Sequence, residues 1–286
     1  MATRRKIKEI LAAMAGLLLL SGCSSLIVTN VMEPTIDNLQ QQKDVDLVCE
    51  GAPSFLLMLD SMLASEPDNV KLLTLASQAY GAYTAALHTC GRPERAEVLS
   101  VKARDYGLAL LGRVGACQDN KADLDELTVN LRRLDSSDVA SLFWGGSGWA
   151  TWLQFQHGSP EALADLLRVE QIMLRVVELD EGFYHGGAHL FLGIYYGGRP
   201  LMFGGKPELA RHHFDRALAL SDRQFLAVQV AYAGSYARAV FDEELYRRLL
   251  EEVLDFDLEN RPDLYLINQV AKRQARDLLQ EAEQYF

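Results

Sequence analysis

Basic residues are scarce in this chain of 286 residues, and no catalytic signature in it is complete. Its 28 Lys and Arg stand against 39 Asp and Glu, a formal charge of −11. A surface this acidic repels phosphate backbones and anionic headgroups, which excludes nucleic acid as a partner and argues against adsorption to a lipid surface. His185-x3-His189 sets two imidazoles one helical turn apart, but no glutamate follows in metalloprotease order and a third ligand is missing. His212 and His213 are adjacent and so face different directions. Gly145-x-Ser147-x-Trp149 lacks the last glycine of a nucleophile elbow, and Gly145-Gly146-Ser147-Gly148 lacks the Lys-Ser/Thr ending of a phosphate loop. The reading is a non-enzymatic protein with no cofactor and no metal. Convincing period-two runs are absent too, which leaves no basis for a sheet.

The apolar run Ile10 to Leu20 is shorter than the roughly 20 residues that span a bilayer, and it follows Arg4, Arg5, Lys6 and Lys8. That is the layout of a signal peptide. It ends in Leu20-Ser21-Gly22-Cys23, small residues before a cysteine, which resembles the lipobox where bacterial lipoproteins are cut and acylated. The expected organisation is a signal peptide over 1–22, acylation at Cys23, a lipidated tether over 23–45 and a single domain over 46–286. An ordinary signal peptide with a chance cysteine is the plainer alternative, and the Arg4-Arg5 pair fits twin-arginine export poorly. Cleavage would remove four basic residues and only Glu9, taking the formal charge to about −14. The expected location is the bacterial periplasm, with membrane attachment through the lipid alone; Ser24 favours the outer membrane.

What the chain does have is helical patterning from Pro53 onward. Helices are expected at about 53–65, 68–89, 93–112, 119–133, 137–156, 159–179, 184–197, 206–220, 222–240, 242–256 and 262–284, with prolines at several starts. Reading the first two as a hairpin brings Cys49 and Cys90 together as a disulfide pair that an oxidising compartment permits. Cys117 lies beyond a further helix, about 30 Å away at 1.5 Å per residue. Three buried free thiols are the alternative. The segment Gly187 to Asp222 resembles a tetratricopeptide unit, with Gly193 and Tyr196 in its first helix and Ala210, Phe214 and Ala217 in its second. Its connection, Tyr196 to Pro207, is about five residues too long for the 34-residue repeat. Val169, Met173 and Val176 echo the pattern upstream, and Ala96, Ser100 and Ala103 echo it more weakly. The fold class is therefore all-α, an irregular tetratricopeptide-like solenoid of helical hairpins.

Several segments in order carry a more specific likeness. They include Gly91-Arg92-Pro93-Glu94-Arg95-Ala96, Arg104-Asp105-Tyr106-Gly107-Leu108, Phe143-Trp144-Gly145-Gly146-Ser147-Gly148-Trp149 and Val176-Val177-Glu178-Leu179-Asp180. His189-Leu190-Phe191-Leu192-Gly193, Arg199-Pro200, Gly204-Gly205, Ala210-Arg211-His212-His213-Phe214 and Leu266 to Ala275 follow. Together they resemble the T component of tripartite ATP-independent periplasmic (TRAP) transporters, over roughly Ala52 to Leu279. The resemblance implies a lipid-anchored helical protein that forms a homotrimer and docks the periplasmic solute-binding protein of the transporter. It also implies a pore or cleft in each protomer that passes a hydrophobic or carboxylate ligand. A general tetratricopeptide-like envelope scaffold, mediating protein–protein contacts, is the competing reading.

Candidate site residues come from three places. Trp144, Gly148 and Trp152 fall at i, i+4 and i+8 of a helix, so two indoles would flank a position without a side chain, with Trp149 beside them. A slot for a ligand or partner is one reading, and an aromatic core with close helix contacts is the other. Tyr195 belongs to a glycine-rich stretch that would shape the cleft rim. Arg199 opens an apolar loop, Pro200 to Phe203, and its guanidinium suits a ligand carboxylate, although a salt bridge is its ordinary fate. Asn268 sits on the apolar stripe of the last helix with Leu264, Ala271 and Ala275, where it requires internal partners and reads as structural.

Overall fold

The computed structural model describes residues 33–117, 123–156, 159–199 and 204–286, and among them every regular element is helical. The expected signal peptide and acylated Cys23 lie outside these residues. In chain order the helices are α1 (Glu33–Gln40), α2 (Val45–Ser65), α3 (Val70–Ala86), α4 (Ala96–Arg113), α5 (Leu124–Leu131) and α6 (Val139–Leu153). They continue with α7 (Pro160–Asp180), α8 (Phe183–Gly197), α9 (Pro207–Leu220), α10 (Ala227–Ala231), α11 (Glu243–Asp255) and α12 (Tyr265–Gln280). The all-α expectation holds.

Two starts differ from the sequence reading. Residues 33–40, expected within a tether, form α1. Helix α2 begins at Val45 rather than at Pro53, because the Asp44 carboxylate caps it, accepting from the Asp46 and Leu47 amides at 3.1 and 3.0 Å. Pro53 therefore lies inside the helix, where its missing N–H would leave the Cys49 carbonyl without a partner. The Tyr83 hydroxyl donates to that carbonyl at 3.4 Å. Cys49 is also bridged to Cys90, which ties α2 to the end of the α3 segment. By length and composition α2 would suffice to cross a bilayer; Leu56, Leu59 and Leu63 are buried in the core, while Leu47, Leu57 and Met58 of the same helix are exposed.

Farther on, the expected helix at 222–240 is interrupted. Asp222 and Arg223 take left-handed backbone angles, α10 starts only at Ala227, and it runs into a π-helical turn at Tyr232–Ala237. At 262–284, a short turn at Pro262–Leu264 precedes α12.

Neighbours in the chain pack on one another from α3 to α9, except around the short α5: α6 lies against α4, and α5 packs on α7. Helix α12 then returns to touch α1 and α2, bringing the two ends of the described chain together. The echoing triplets occupy equivalent buried positions: Ala210, Phe214 and Ala217 are fully buried, as are Val169, Met173 and Val176, while Ala96, Ser100 and Ala103 are nearly so. Gly193 gives the Phe214 ring its room, since a Cβ there would lie 2.9 Å from ring carbons. Fully burying a side chain such as Phe214, Met173 or Val176 contributes roughly 1.5–3 kcal/mol, so these positions help hold adjacent helices together.

Candidate functional site

The glycine-rich stretch of α6 is where helices approach most closely. A Cβ on Gly107 of α4 would stand 2.6 Å from the Gly145 carbonyl, and one on Gly145 would stand 2.6 Å from Leu111 Cγ. A Cβ on Gly148 would overlap both the Ala103 carbonyl and the Ser77 hydroxyl. Ser77 of α3 donates to the Trp144 carbonyl at 2.7 Å, so three helices meet at this point. The slot expected beside Gly148 is thus closed. Glycine is there because neighbouring backbone, rather than a ligand, fills the gap.

The three indoles go to three different places. Trp149 is fully buried, and its Nε1–H donates to Asp165 Oδ2 at 3.2 Å. Burial pushes the Asp165 carboxyl up, against the pull of Trp149 and of the Arg168 guanidinium, 3.0 Å away. Trp152 lies under the Arg104 guanidinium, 4.6 Å from the ring centre. Trp144, alone of the three, lines a cavity.

That space is a cleft of about 440 Å³, walled by α1, α2, α3 and α12 and floored by α6. Its size falls within the usual range for small-molecule sites. Ile36 and Leu39 of α1, Val48, Ala52 and Phe55 of α2, and Leu266, Ile267 and Val270 of α12 supply apolar walls. Helix α3 supplies width: Ala79, Gly81, Ala82, Ala85 and Ala86 put little bulk into the gap. Trp144, Ser147 and Thr151 project from α6, and the Cys49–Cys90 bridge forms part of the wall.

One end is shaped by strained backbone. Tyr184 and His185, both lining the cleft, have φ of 48° and 59°, and Gly186 follows at 77°. A left-handed L-residue costs roughly 1–2 kcal/mol, so the surroundings must hold this turn in place. They do so with rings: Tyr184 meets Trp144 edge-on at 4.7 Å, Phe143 at 5.5 Å and Phe225 at 5.7 Å. Burial pushes the Tyr184 phenol up to about 12. The helix expected from 184 is therefore kinked at its start. His185 is held below the ordinary imidazole range by burial, with the Arg261 charge adding and Asp263 opposing, so it is neutral at pH 7.

The remaining sequence candidates lie away from the cleft lining. The Tyr195 hydroxyl donates to Glu170 Oε2 at 2.8 Å, and Tyr196 donates to Oε1 at 2.5 Å. Burial raises the Tyr195 pKa, with Arg199 opposing and Glu170 adding. Arg199 lies 3.9 Å from the Tyr195 ring centre and its Nε donates to the Tyr195 carbonyl at 3.1 Å; its neighbours Pro200 to Phe203 are outside the described residues. This guanidinium is engaged by its own helix. Asn268 is fully buried, accepting from the Leu226 amide at 3.0 Å and donating to the Gln224 carbonyl at 2.9 Å. It fastens the loop before α10 to α12. His185 and His189 do not converge: His189 Nδ1 lies 2.8 Å from His213 Nδ1, inside the α8–α9 pair. Among the described residues no group of three His, Cys, Asp or Glu is placed to hold a metal ion.

Sequence reasoning found Trp144 but not the cleft's main walls. The signal was available in the small-residue face of α3 and in a second apolar stripe on α12, Leu266, Ile267 and Val270, beside the one carrying Asn268. No curated protein matches the chain. Residues 41–286 match the family model described as TRAP transporter T-component.

Proposed function

Because the chain belongs to the TRAP transporter T-component family, we propose that it is a non-enzymatic periplasmic accessory of such a transporter, holding an apolar ligand in the cleft between α2, α3 and α12. In this reading Cys23 carries the lipid anchor, the protein works as a homotrimer, and it docks the transporter's solute-binding protein. The observation that carries the ligand role is the cleft itself: a cavity of about 440 Å³ with mainly apolar walls, bordered by a strained aromatic turn. Outlying backbone angles concentrate where a site must be preorganised, which supports the same assignment.

The partner role is tested by capturing the tagged lipoprotein from detergent-solubilised envelopes and identifying proteins and lipids together. Recovery of a periplasmic solute-binding protein is expected; recovery of unrelated envelope proteins alone would favour a general scaffold. Native mass spectrometry of the delipidated protein should give a trimer, and only monomer at micromolar concentration would remove that component.

A further inference from the structure

We propose that the cleft is selective for uncharged apolar molecules and rejects free carboxylates. This rests on the reading of the cleft as a ligand site and adds the chemical class of its occupant. Among the described residues that line it there is neither lysine nor arginine. Most of its polar side chains are amides and hydroxyls, such as Gln78, Gln274, Ser147 and Thr151, and only His185 and Asp263 titrate near or below neutral pH.

The nearby charges are already committed. Both Asp263 oxygens accept from Arg261, at 2.9 and 2.7 Å, and the remaining Arg261 Nη1 donates to Gln224 Oε1 at 3.0 Å. Each nitrogen of that guanidinium thus already has an acceptor, and its charge is paired with Asp263. Arg199, which does not line the cleft, is held on the Tyr195 ring. An ionised carboxylate entering the cleft would shed water without finding a cation, and would meet the like charge of Asp263. An alcohol or ester of the same chain length buries the same apolar surface, and amides and hydroxyls can satisfy its oxygens.

The test is displacement of N-phenyl-1-naphthylamine from the purified protein at pH 7.5 by three matched compounds: dodecanol, methyl dodecanoate and dodecanoate. The two neutral compounds should displace the probe at concentrations about tenfold or more below that of the acid. Gln274→Arg, which puts a guanidinium into the α12 wall, should improve dodecanoate by about tenfold and leave dodecanol nearly unchanged. Dodecanoate competing as well as its methyl ester against the unmodified protein would overturn the proposal. Failure of the probe and of all three compounds to bind would overturn the ligand-site reading itself, and the selectivity with it.

Discussion

Alanine at Gly148 would gain about 1 kcal/mol of helix propensity, yet its Cβ would overlap the Ala103 carbonyl, an atom that cannot swing aside. Overpacking against backbone costs about 1–3 kcal/mol, so Gly148→Ala should be net destabilising in urea unfolding. Gly51, also inside a helix, has nothing within 4 Å of its Cβ position, so Gly51→Ala should instead stabilise by about 0.5–1 kcal/mol. Opposite signs for one chemical change would separate close helix contact from propensity. At the buried imidazole pair, burial first and the neighbouring imidazoles second bring His213 down to about 4, whereas in the unfolded chain its pKa is about 6.5. The unfolded chain therefore takes up a proton that the folded one refuses. The stabilisation is complete above about pH 6.5 and is lost progressively as pH falls to about 4, by up to about 3 kcal/mol. His213→Asn should flatten the dependence of urea-derived stability on pH across that window. An unchanged slope would count against it.

Helices α2 and α3 are held as a unit by the Cys49–Cys90 bridge, by Tyr83 on the Cys49 carbonyl and by Asp60, which accepts from Tyr80 at 2.9 Å. Tyr106 and Lys102 of α4 donate to the same carboxylate at 2.5 and 3.0 Å. A bridge spanning 41 residues restricts the unfolded chain, so the Cys49→Ser, Cys90→Ser protein should lose about 2–4 kcal/mol, measured as a lower urea midpoint with a steeper slope, because the unbridged unfolded chain exposes more surface. Because both cysteines line the cleft, the same protein should also bind the apolar probe more weakly. The extent of these elements was only partly legible beforehand. Prolines marked the starts of α7 and α9 correctly, since each begins at a proline. Pro53 misled because the carbonyl it orphans finds its donor in Tyr83, on another helix. Asp222 and Arg223 misled for a related reason: nothing local forces a left-handed stop at two ordinary residues.

At the scale of the molecule, the cleft exists because α12 comes back to the first helices while α3 presents small side chains across the gap. Ala82 is exposed within it, so Ala82→Phe should fill space without disturbing the core. Its stability should stay within about 0.5 kcal/mol of the parent while affinity for the probe falls about tenfold or more. Full affinity in this variant would place the probe elsewhere. The helical class, the buried triplets such as Ala210, Phe214 and Ala217, and the family were all written in local spacing and ordered motifs, because helix periodicity and turn chemistry act over a few residues. The structure alone decided that Gly148 is a contact, that Arg199 serves its own helix, and that Trp144 is the one tryptophan bordering the cleft. Those outcomes depend on which surfaces meet across long stretches of chain, and residue spacing along one helix does not specify what packs against it.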